Sequence, residues 1–356
     1  MRKRFLELVN CPVDTGGFIL EEFELDENHI ISGKLTCKKC GREFPIINGV
    51  PRLLPDKLFY YTHVYHKEFF QNYEIKDGQG SATRKKTVSN ATARTLKSFS
   101  YQWRKFGKMF DFWKENFIDY TKPLNEDFFK GKLGLDGGCG FGRHIYWASE
   151  FGSTMIGLDL SEAVESAYKN TKHKENVLIV QGDIYNPPFE KDSFDFFYSI
   201  GVLHHLPDPE GGFDSLLRFI KKGGTAFAWV YGERPGWSDK FSTFLRRFTT
   251  KMKNMYLLHF ICWLIALFVR VKIHWPYKFF RAIGLKKIAE KFPLRFHADF
   301  PFYVVVADTF DRLSVPLVKY YSEEEFREWF TRNKLKDIKI LKRLQNNYSY
   351  RGLGIK

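Results

Sequence analysis

Residues 133–144 read LGLDGGCGFGRH, and this stretch decides the fold of the chain around it. An apolar run ends in Asp136, and glycines then alternate at Gly138, Gly140 and Gly142. Glycine lets the backbone approach a ligand where a Cβ would collide, and a helix that starts directly afterwards points its free amides at the same place. The stretch therefore predicts a buried strand, a tight ligand-facing turn and a helix.

The spacing of the glycines separates two classes of nucleotide-binding turn. A dinucleotide-binding turn has the pattern G-x-G-x-x-G, which needs a glycine where this chain has Arg143. The pattern present here, D-x-G-x-G-x-G, resembles motif I of the class I S-adenosylmethionine (SAM)-dependent methyltransferases. Because a glycine-rich turn alone is a weak signal, the rest of the chain has to support this interpretation.

Composition and charge limit the class of protein. The chain has 356 residues, 44% of them hydrophobic and 18% aromatic, so it can bury a core without disulfides. Its five cysteines are an odd number, and Glu7 interrupts the N-terminal stretch where a secretory signal would be apolar. We therefore expect a reducing, cytoplasmic location. Of the net charge of +15, residues 233–300 contribute +10, with fourteen Lys and Arg against four Asp and Glu.

The chain divides into three parts. Residues 1–56 consist of short strand and turn patterns, residues 57–95 are polar and predict a linker, and residues 96–356 form the main domain. Aromatic residues recur at roughly helical spacing from 96 to 130. From residue 132 onward, short apolar runs alternate with helical segments. Continuous apolar runs of this kind are typical of parallel strands that are buried on both faces. The runs predict strands at 132–136, 154–158, 177–181, 194–199 and 225–231.

The C-terminal third interrupts this alternation and then resumes it. A basic and aromatic insert over 233–300 is followed by YVVVADTF at 303–310, which is typical of a strand. A capping box at Ser322 opens a predicted helix over 322–334. Two further strands are predicted at the end of the chain, 336–344 and 348–356.

These elements predict an α/β fold with a doubly wound, seven-stranded, mostly parallel Rossmann-like sheet. A small β-rich ribbon precedes the sheet, and the helical insert follows its fifth strand. In sheets of this kind, ligands bind at the carboxyl ends of the strands.

Three carboxylates stand at such ends, Asp136 after the first strand, Asp159 after the second and Asp183 after the third. A lone aspartate there is more often a helix cap, but three acidic strand ends around one glycine turn are hard to obtain as caps. Residues 132–231 resemble the UbiE-like methyltransferases, and the tail does so more loosely. The resemblance implies that Asp159 accepts the ribose hydroxyls of SAM and that Asp183 faces the adenine. The implied cofactor residues are Asp136, Gly138, Gly140, Gly142, Asp159, Leu160, Asp183, Ile184 and Ser199.

The loop after the fourth strand supplies candidate catalytic groups. Histidine has an unperturbed pKa near 6.5, so His204 or His205 could take a proton from an acceptor. His205 is the candidate base, whereas His204 fits equally well as part of the framework. The segment from Phe99 to Trp103 resembles an aromatic lid, in which Tyr101 and Trp103 would cover cofactor or acceptor. The alternative is that these aromatics belong to the core.

The N-terminal cysteines form a second motif. Cys11-Pro-Val-Asp14 and Cys37-Lys-Lys-Cys40 resemble the two knuckles of a Trm112-like zinc ribbon. Such knuckles bring four ligands together around zinc, although Asp14 stands here in place of a second cysteine. The resemblance implies zinc ligands at Cys11, Asp14, Cys37 and Cys40, and a ribbon that has lost its metal stays an alternative. Related ribbons activate RNA and protein methyltransferases, which keeps those acceptors open.

The insert contains MYLLHFICWLIALFV at 255–269, fifteen residues without a charge between basic flanks at Lys251 and Lys272. A membrane-spanning helix needs about 20 apolar residues, so this run fits better a helix that lies in the interface of an anionic membrane. A buried lid helix or a dimer contact is the alternative. A nucleic-acid surface would interleave basic and polar residues, which makes nucleic acid the weaker partner.

The sequence therefore predicts a SAM-dependent methyltransferase that acts on a small-molecule or lipid-linked acceptor. It predicts a cytoplasmic protein with peripheral membrane contact through residues 251–272. An RNA or protein methyltransferase with its activating ribbon fused in cis is the alternative.

Overall fold

A computed structural model describes residues 1–76, 89–233, 237–343 and 346–356. The strands are β1 Phe18–Asp26, β2 His29–Cys37, β3 Glu43–Ile47, β4 Val50–Leu53, β5 Leu133–Gly137, β6 Thr154–Asp159, β7 Val177–Gly182, β8 Phe194–Ile200, β9 Ile220–Tyr231, β10 Lys336–Arg343 and β11 Asn346–Ile355. The helices are α1 Asp56–Tyr65, α2 Lys67–Asn72, α3 Asn90–Lys105, α4 Trp113–Thr121, α5 Arg143–Glu150, α6 Ala163–Thr171, α7 Pro209–Leu217, α8 Trp237–Thr249, α9 Met255–Val269, α10 Trp275–Ala282, α11 Lys286–Ala289, α12 Phe302–Ser314 and α13 Glu323–Arg332.

The central sheet has the order β7-β6-β5-β8-β9-β11-β10. Its first five strands are parallel, and β11 runs antiparallel to both β9 and β10. The predicted doubly wound, mostly parallel sheet is therefore confirmed. The capping box is also present, since the Ser322 hydroxyl accepts from the Glu325 amide and the Glu325 carboxylate accepts from the Ser322 amide.

The ribbon extends this sheet. Strands β1 to β4 form an antiparallel meander, and β4 pairs in parallel with β7, with Arg52 opposite Gln181. One sheet of eleven strands results among the described residues. The apolar core is continuous as well, because Leu35 and Phe44 belong to the same buried cluster as Leu158. The ribbon therefore extends the central sheet at its β7 edge.

Part of the segment predicted as a linker is helical. Helices α1 and α2 occupy residues 56–72, and they bury Leu58, Phe59 and Phe69. The polar composition hid these apolar contacts, which need the neighbouring elements to form. Residues 77–88 of the predicted linker lie outside the described residues.

The stretch YVVVADTF is a helix rather than a strand, so this prediction was wrong. It forms most of α12, which packs Val305, Val306 and Phe310 against α9. The preference of β-branched residues for strands depends on packing against neighbouring strands. Here the segment packs against a helix instead, and this tertiary contact overrides the preference.

The insert is built around one long helix. Helix α9 continues through a π-helical turn, Arg270–His274, into α10. The continuous helix Met255–Ala282 has 28 residues and, by length and composition alone, it is able to cross a membrane. The sequence-based view that the apolar run is too short therefore applies to α9 only.

Candidate active site

The glycine turn joins β5 to α5 in a conformation that needs glycine. The φ angles are 93° at Gly138, 54° at Gly140 and 87° at Gly142. The amide of Gly138 donates to the Leu158 carbonyl at 2.7 Å, which fixes the turn to β6. A Cβ on Gly138 would lie 2.4 Å from the Val202 side chain, so a larger residue would displace the loop after β8. The predicted strand, turn and helix are all present.

Asp159 organises the turn from the end of β6. Its Oδ2 accepts from the Gly140 amide at 2.9 Å, and its Oδ1 accepts from the amide and hydroxyl of Ser161 at 2.8 and 2.7 Å. Burial raises the pKa of Asp159, and these hydrogen bonds oppose part of that shift. The carboxylate therefore holds the glycine turn and the next helix start together.

The other predicted cofactor residues fall into two groups. Asp183 and Ile184 line the same cavity as Asp159 and Leu160, and Asp183 accepts from the Tyr185 amide at 3.0 Å. Asp136 and Ser199 are buried and lie outside the cavity wall. The Ser199 hydroxyl donates to the Gly137 carbonyl at 2.7 Å, and burial raises the pKa of Asp136 well above its usual value. These two residues support the end of β5 and the start of the turn.

The cavity at the carboxyl ends of the strands has a volume of about 560 Å³. Cavities of this size hold a cofactor-sized ligand. On the far side of the turn, a Cβ on Gly140 would lie 3.6 Å from the Trp103 indole nitrogen, so the backbone there is open towards the cavity. The glycine cradle, the strand-end carboxylates and the cavity together fit SAM.

His205 lies on the cavity wall in a defined protonation state. Its Nδ1 is 2.7 Å from the Leu317 carbonyl, which assigns the proton to Nδ1 and the lone pair to Nε2. Burial lowers the pKa of His205, and the Asp311 charge and the Leu317 carbonyl offset part of the shift. The ring is therefore neutral near pH 7 and is able to accept a proton at Nε2.

His204 and Tyr101 are placed elsewhere. His204 is fully buried, and its ring centroid is 4.1 Å from that of Tyr231. This placement agrees with the alternative that His204 is part of the structural framework. The Tyr101 hydroxyl is hydrogen-bonded to Nδ1 of His259 at 2.9 Å, in the contact between α3 and α9. The prediction that Tyr101 covers the cofactor is corrected, because its side chain faces the insert. Trp103, two residues later, does line the cavity.

Helix α12 adds cavity groups that sequence analysis missed. Asp308, Asp311 and Arg312 line the wall, and the Arg312 Nε donates to Asp308 at 2.7 Å. Although burial opposes ionisation, the charges of Arg312 and His297 hold the pKa of Asp308 well below its usual range. Burial raises the pKa of Asp311. The i,i+4 spacing of Asp308 and Arg312 would place the two side chains side by side on a helix. The strand prediction for this segment hides that relation.

A buried ionic network connects the ribbon to the cofactor loop. Arg52 on β4 is fully buried and donates to Glu162 at 3.3 Å and to Gln181 at 3.1 Å. It also donates to Glu165. Gln181 in turn donates to the Leu160 carbonyl at 3.1 Å, next to Asp159. The ribbon therefore contacts the loop that carries the strand-end carboxylate.

The four predicted metal ligands are brought together in the ribbon. The ligand atoms of Cys11, Asp14, Cys37 and Cys40 all lie within 4.8 Å of one another. The Cys11 and Cys40 sulfurs are 3.8 Å apart, the separation expected for two thiolates on tetrahedral zinc with bonds of about 2.3 Å. Backbone amides of Lys39 and Cys40 point at the Cys37 sulfur. The donor set fits a zinc ion.

Comparison with known proteins agrees with both motifs. Residues 135–228 match the family described as methyltransferase domain, and residues 2–49 match the family described as Trm112p-like protein. The chain is 33% identical over 138 residues to phosphoethanolamine N-methyltransferase 2 of Caenorhabditis elegans, which covers 36% of this chain and 31% of that protein. It is 26% identical over 187 residues to a sterol 24-C-methyltransferase of Schizosaccharomyces pombe, with 48% and 50% covered. The chain thus spans about a third to a half of these relatives.

Among solved structures, a chain from the complex between the Haloferax volcanii Trm112 methyltransferase activator and a methyltransferase is similar, with a TM-score of 0.44 and 15% identity. The match covers 73% of this chain and 96% of that one. The fold, the glycine turn and the family matches define a class I SAM-dependent methyltransferase domain. Within that class, it is a type 11 methyltransferase domain preceded by a Trm112-like segment that carries the cysteine cluster.

Proposed function

We propose that the protein transfers a methyl group from SAM to a small-molecule or lipid-linked acceptor. The observation that carries this proposal is the shared cavity, whose wall includes the glycine turn, Asp159 and Asp183 as well as His205 and Trp103. The relatives whose names give sterols and phosphoethanolamine as acceptors support the small-molecule class.

The residues of the cavity account for the parts of the reaction that a protein supplies. SAM, when bound, provides a methyl group on an activated sulfonium, so the protein has to orient the reactants and exclude water. Asp159 and Asp183 would hold the nucleoside end. Nε2 of His205 would take the proton that an acceptor hydroxyl, amine or carbon acid releases. Aromatic side chains such as Phe99 and Trp103 keep this space apolar.

The surface of α9 supports peripheral membrane association. The helix buries Met255, Leu258, Cys262 and Ala266 and turns its other large apolar residues outward. The exposed side chains are Tyr256, Leu257, Phe260, Trp263, Leu264, Leu267 and Phe268, continued on α10 by Trp275, Phe279 and Ile283. A contiguous apolar face of this size is rare on a soluble monomer and marks an interaction surface.

The charges around this face favour an anionic lipid surface. Exposed lysines stand at both ends of α9, at Lys251, Lys253 and Lys272, and on α10 at Lys278. Apolar side chains flanked by basic groups suit a helix that rests in the headgroup region of an anionic membrane. A membrane-bound enzyme would receive a lipid-linked acceptor directly from the bilayer.

Methyl transfer tests the acceptor class. With SAM labelled in its methyl group, we expect label in the lipid-extractable fraction of a cell extract, and more of it when anionic vesicles are present. Leu264→Glu should reduce vesicle co-sedimentation and lipid labelling at least tenfold, since it puts a charge on the exposed apolar face. Leu25→Glu, which changes a similarly exposed leucine on the ribbon, is the matched control. Label that appears in RNA or protein instead would favour the alternative acceptors.

The ribbon is proposed to bind zinc through Cys11, Asp14, Cys37 and Cys40. Purified protein should contain about one zinc per chain, measured by atomic emission, and Cys37→Ser should remove most of it because three ligands hold zinc poorly. Lys38→Ser, an exposed neighbour in the same knuckle, should keep the metal. Equal zinc contents in wild type and Cys37→Ser would show that Cys37 is not a zinc ligand, and wild-type protein without zinc would show that the ribbon is held by its apolar core alone.

A further inference from the structure

One part of the cavity wall is built from aromatic residues around a guanidinium, and we call it the aromatic wall. Its members are Trp113, Tyr120, Arg143, Trp229 and Tyr231. The Arg143 guanidinium is 4.8 Å from the Trp113 ring centroid and 5.9 Å from that of Tyr120. Ring centroids are 5.0 Å apart for Tyr120 and Trp229, and 5.3 Å apart for Trp229 and Tyr231. The wall is thus one connected cluster.

Arg143 differs from the other arginines of the cavity in having no carboxylate partner. Arg312 is paired with Asp308 at 2.7 Å, and Arg343 is paired with Asp119 at 2.6 Å. Among the residues that the structure describes, the Arg143 side chain forms no ion pair or hydrogen bond; its guanidinium lies against aromatic faces, and Asp311 and Asp136 act on its charge from beyond ion-pair distance. A half-buried guanidinium that lines the cavity without an ion-pair partner is placed to receive the anionic group of a ligand.

Further buried polar atoms without partners line the same cavity. The indole nitrogens of Trp113 and Trp229 and Nε2 of His144 have no hydrogen-bond partner in the described part of the chain. All three side chains are less than a tenth exposed, and all line the cavity. Indole N–H groups can only donate, and a planar guanidinium offers paired donors that match a carboxylate or phosphate. The two indole N–H groups are therefore free to donate to an acceptor that enters the cavity.

Two buried carboxyl groups, Asp311 and Asp136, interact electrostatically with Arg143, but among the described residues neither forms an ion pair with it. Oδ2 of Asp311 is instead 3.4 Å from the Tyr231 hydroxyl, and burial raises the pKa of both carboxyl groups. The cation therefore remains available to a ligand.

We infer that the aromatic wall is an oxyanion subsite, in which Arg143 binds a carboxylate or phosphate group of a ligand in the cavity. This inference rests on the proposed methyl transfer and extends it, because the oxyanion belongs either to the amino-acid end of the cofactor or to the acceptor. Aromatic faces on the same wall would hold the apolar body that carries the charge.

Calorimetry on the full chain distinguishes the two sources. The ligands are S-adenosylhomocysteine, which has a carboxylate, and 5′-methylthioadenosine, which lacks the amino-acid end. If the cofactor supplies the oxyanion, Arg143→Gln weakens S-adenosylhomocysteine about 10-fold to 100-fold and leaves 5′-methylthioadenosine unchanged. Arg327→Gln, an exposed arginine on α13, makes the same change of charge outside the cavity and should leave both affinities unchanged.

If the acceptor supplies the oxyanion, both nucleoside affinities survive in Arg143→Gln. Dodecanoate should then bind wild-type protein saturated with S-adenosylhomocysteine, more tightly than dodecanol does, and Arg143→Gln should remove that preference. Arg143→Lys keeps the charge and should restore part of the binding, which separates loss of the site from loss of the fold. Unchanged binding of all four ligands in Arg143→Gln would overturn the subsite. Failure of wild type to bind S-adenosylhomocysteine would reject the proposed function, and dodecanoate binding to the protein alone would still test the subsite.

Discussion

Replacing Arg52 with methionine is expected to lower the free energy of unfolding by about 3–5 kcal/mol. Methionine fills much of the arginine volume but leaves the buried carboxylate of Glu162 without its guanidinium, and Glu165 and Gln181 lose a partner as well. Denaturant unfolding at pH 7 measures the change. Arg332→Met is the matched control, because Arg332 forms two ion pairs at the surface of α13, where the expected loss is about 1 kcal/mol or less.

The pH dependence of this loss identifies its cause. Burial opposes ionisation of Glu162, yet His66 and Arg52 lower its pKa from 4.5 to about 2. A carboxyl whose pKa is lower in the folded state stabilises the fold above its unfolded pKa, and that contribution disappears as the pH falls from about 4.5 towards about 2. The difference between wild type and Arg52→Met should therefore shrink over this range. A difference that is independent of pH would indicate lost packing instead of a lost ion pair.

Arg52→Met should also weaken binding of S-adenosylhomocysteine, since Gln181 and Glu162 flank the Leu160 carbonyl and the end of β6. This readout tests the connection between ribbon and cofactor loop, because a purely structural loss in the ribbon would leave the affinity unchanged at temperatures where the protein is folded. Arg332→Met should bind the nucleoside as wild type does.

Local pattern was sufficient for the cofactor half of the site. The alternation of apolar runs with helices predicted the parallel strands, and the glycine spacing predicted the turn between β5 and α5. Asp159 and Asp183 were found because strand-end position can be read from sequence once the strands are known. The cluster of Cys11, Asp14, Cys37 and Cys40 was predicted for a similar reason, since both knuckles are local motifs.

The remaining features depend on contacts between distant parts of the chain. The pairing of β4 with β7 brings Arg52 opposite Gln181, and neither short strand has a pattern that specifies its partner. Helix α12 was missed because its β-branched residues are typical of a strand, and only the packing of α9 against them favours a helix. The prediction for Tyr101 was wrong because helical spacing shows which residues share one face of α3, but it does not show which element that face packs against. The unpaired charge of Arg143 is visible only when every nearby carboxylate has been located.

Asp159→Asn is expected to weaken binding of S-adenosylhomocysteine about 100-fold. Both carboxylate oxygens accept backbone amides, Gly140 on one side and Ser161 on the other, so an asparagine would turn its NH₂ group against one of these donors. The turn would lose a hydrogen bond to a charged acceptor, and the ribose would lose another, each worth about 1.5–3 kcal/mol. The lower end of the summed range, about 3 kcal/mol, corresponds to about two orders of magnitude in the dissociation constant.

The control for this variant is Asp192→Asn. Asp192 is an exposed aspartate with a positive φ of 53°, a conformation that asparagine tolerates, and it pairs with Lys356 outside the cavity. Calorimetry with S-adenosylhomocysteine should give the wild-type affinity for Asp192→Asn and a strongly reduced one for Asp159→Asn. If Asp159→Asn bound the nucleoside as tightly as wild type, the strand-end carboxylate would have no role in holding the ribose. The glycine turn would then have to be assigned to another ligand, because Asp159 is the group that shapes it.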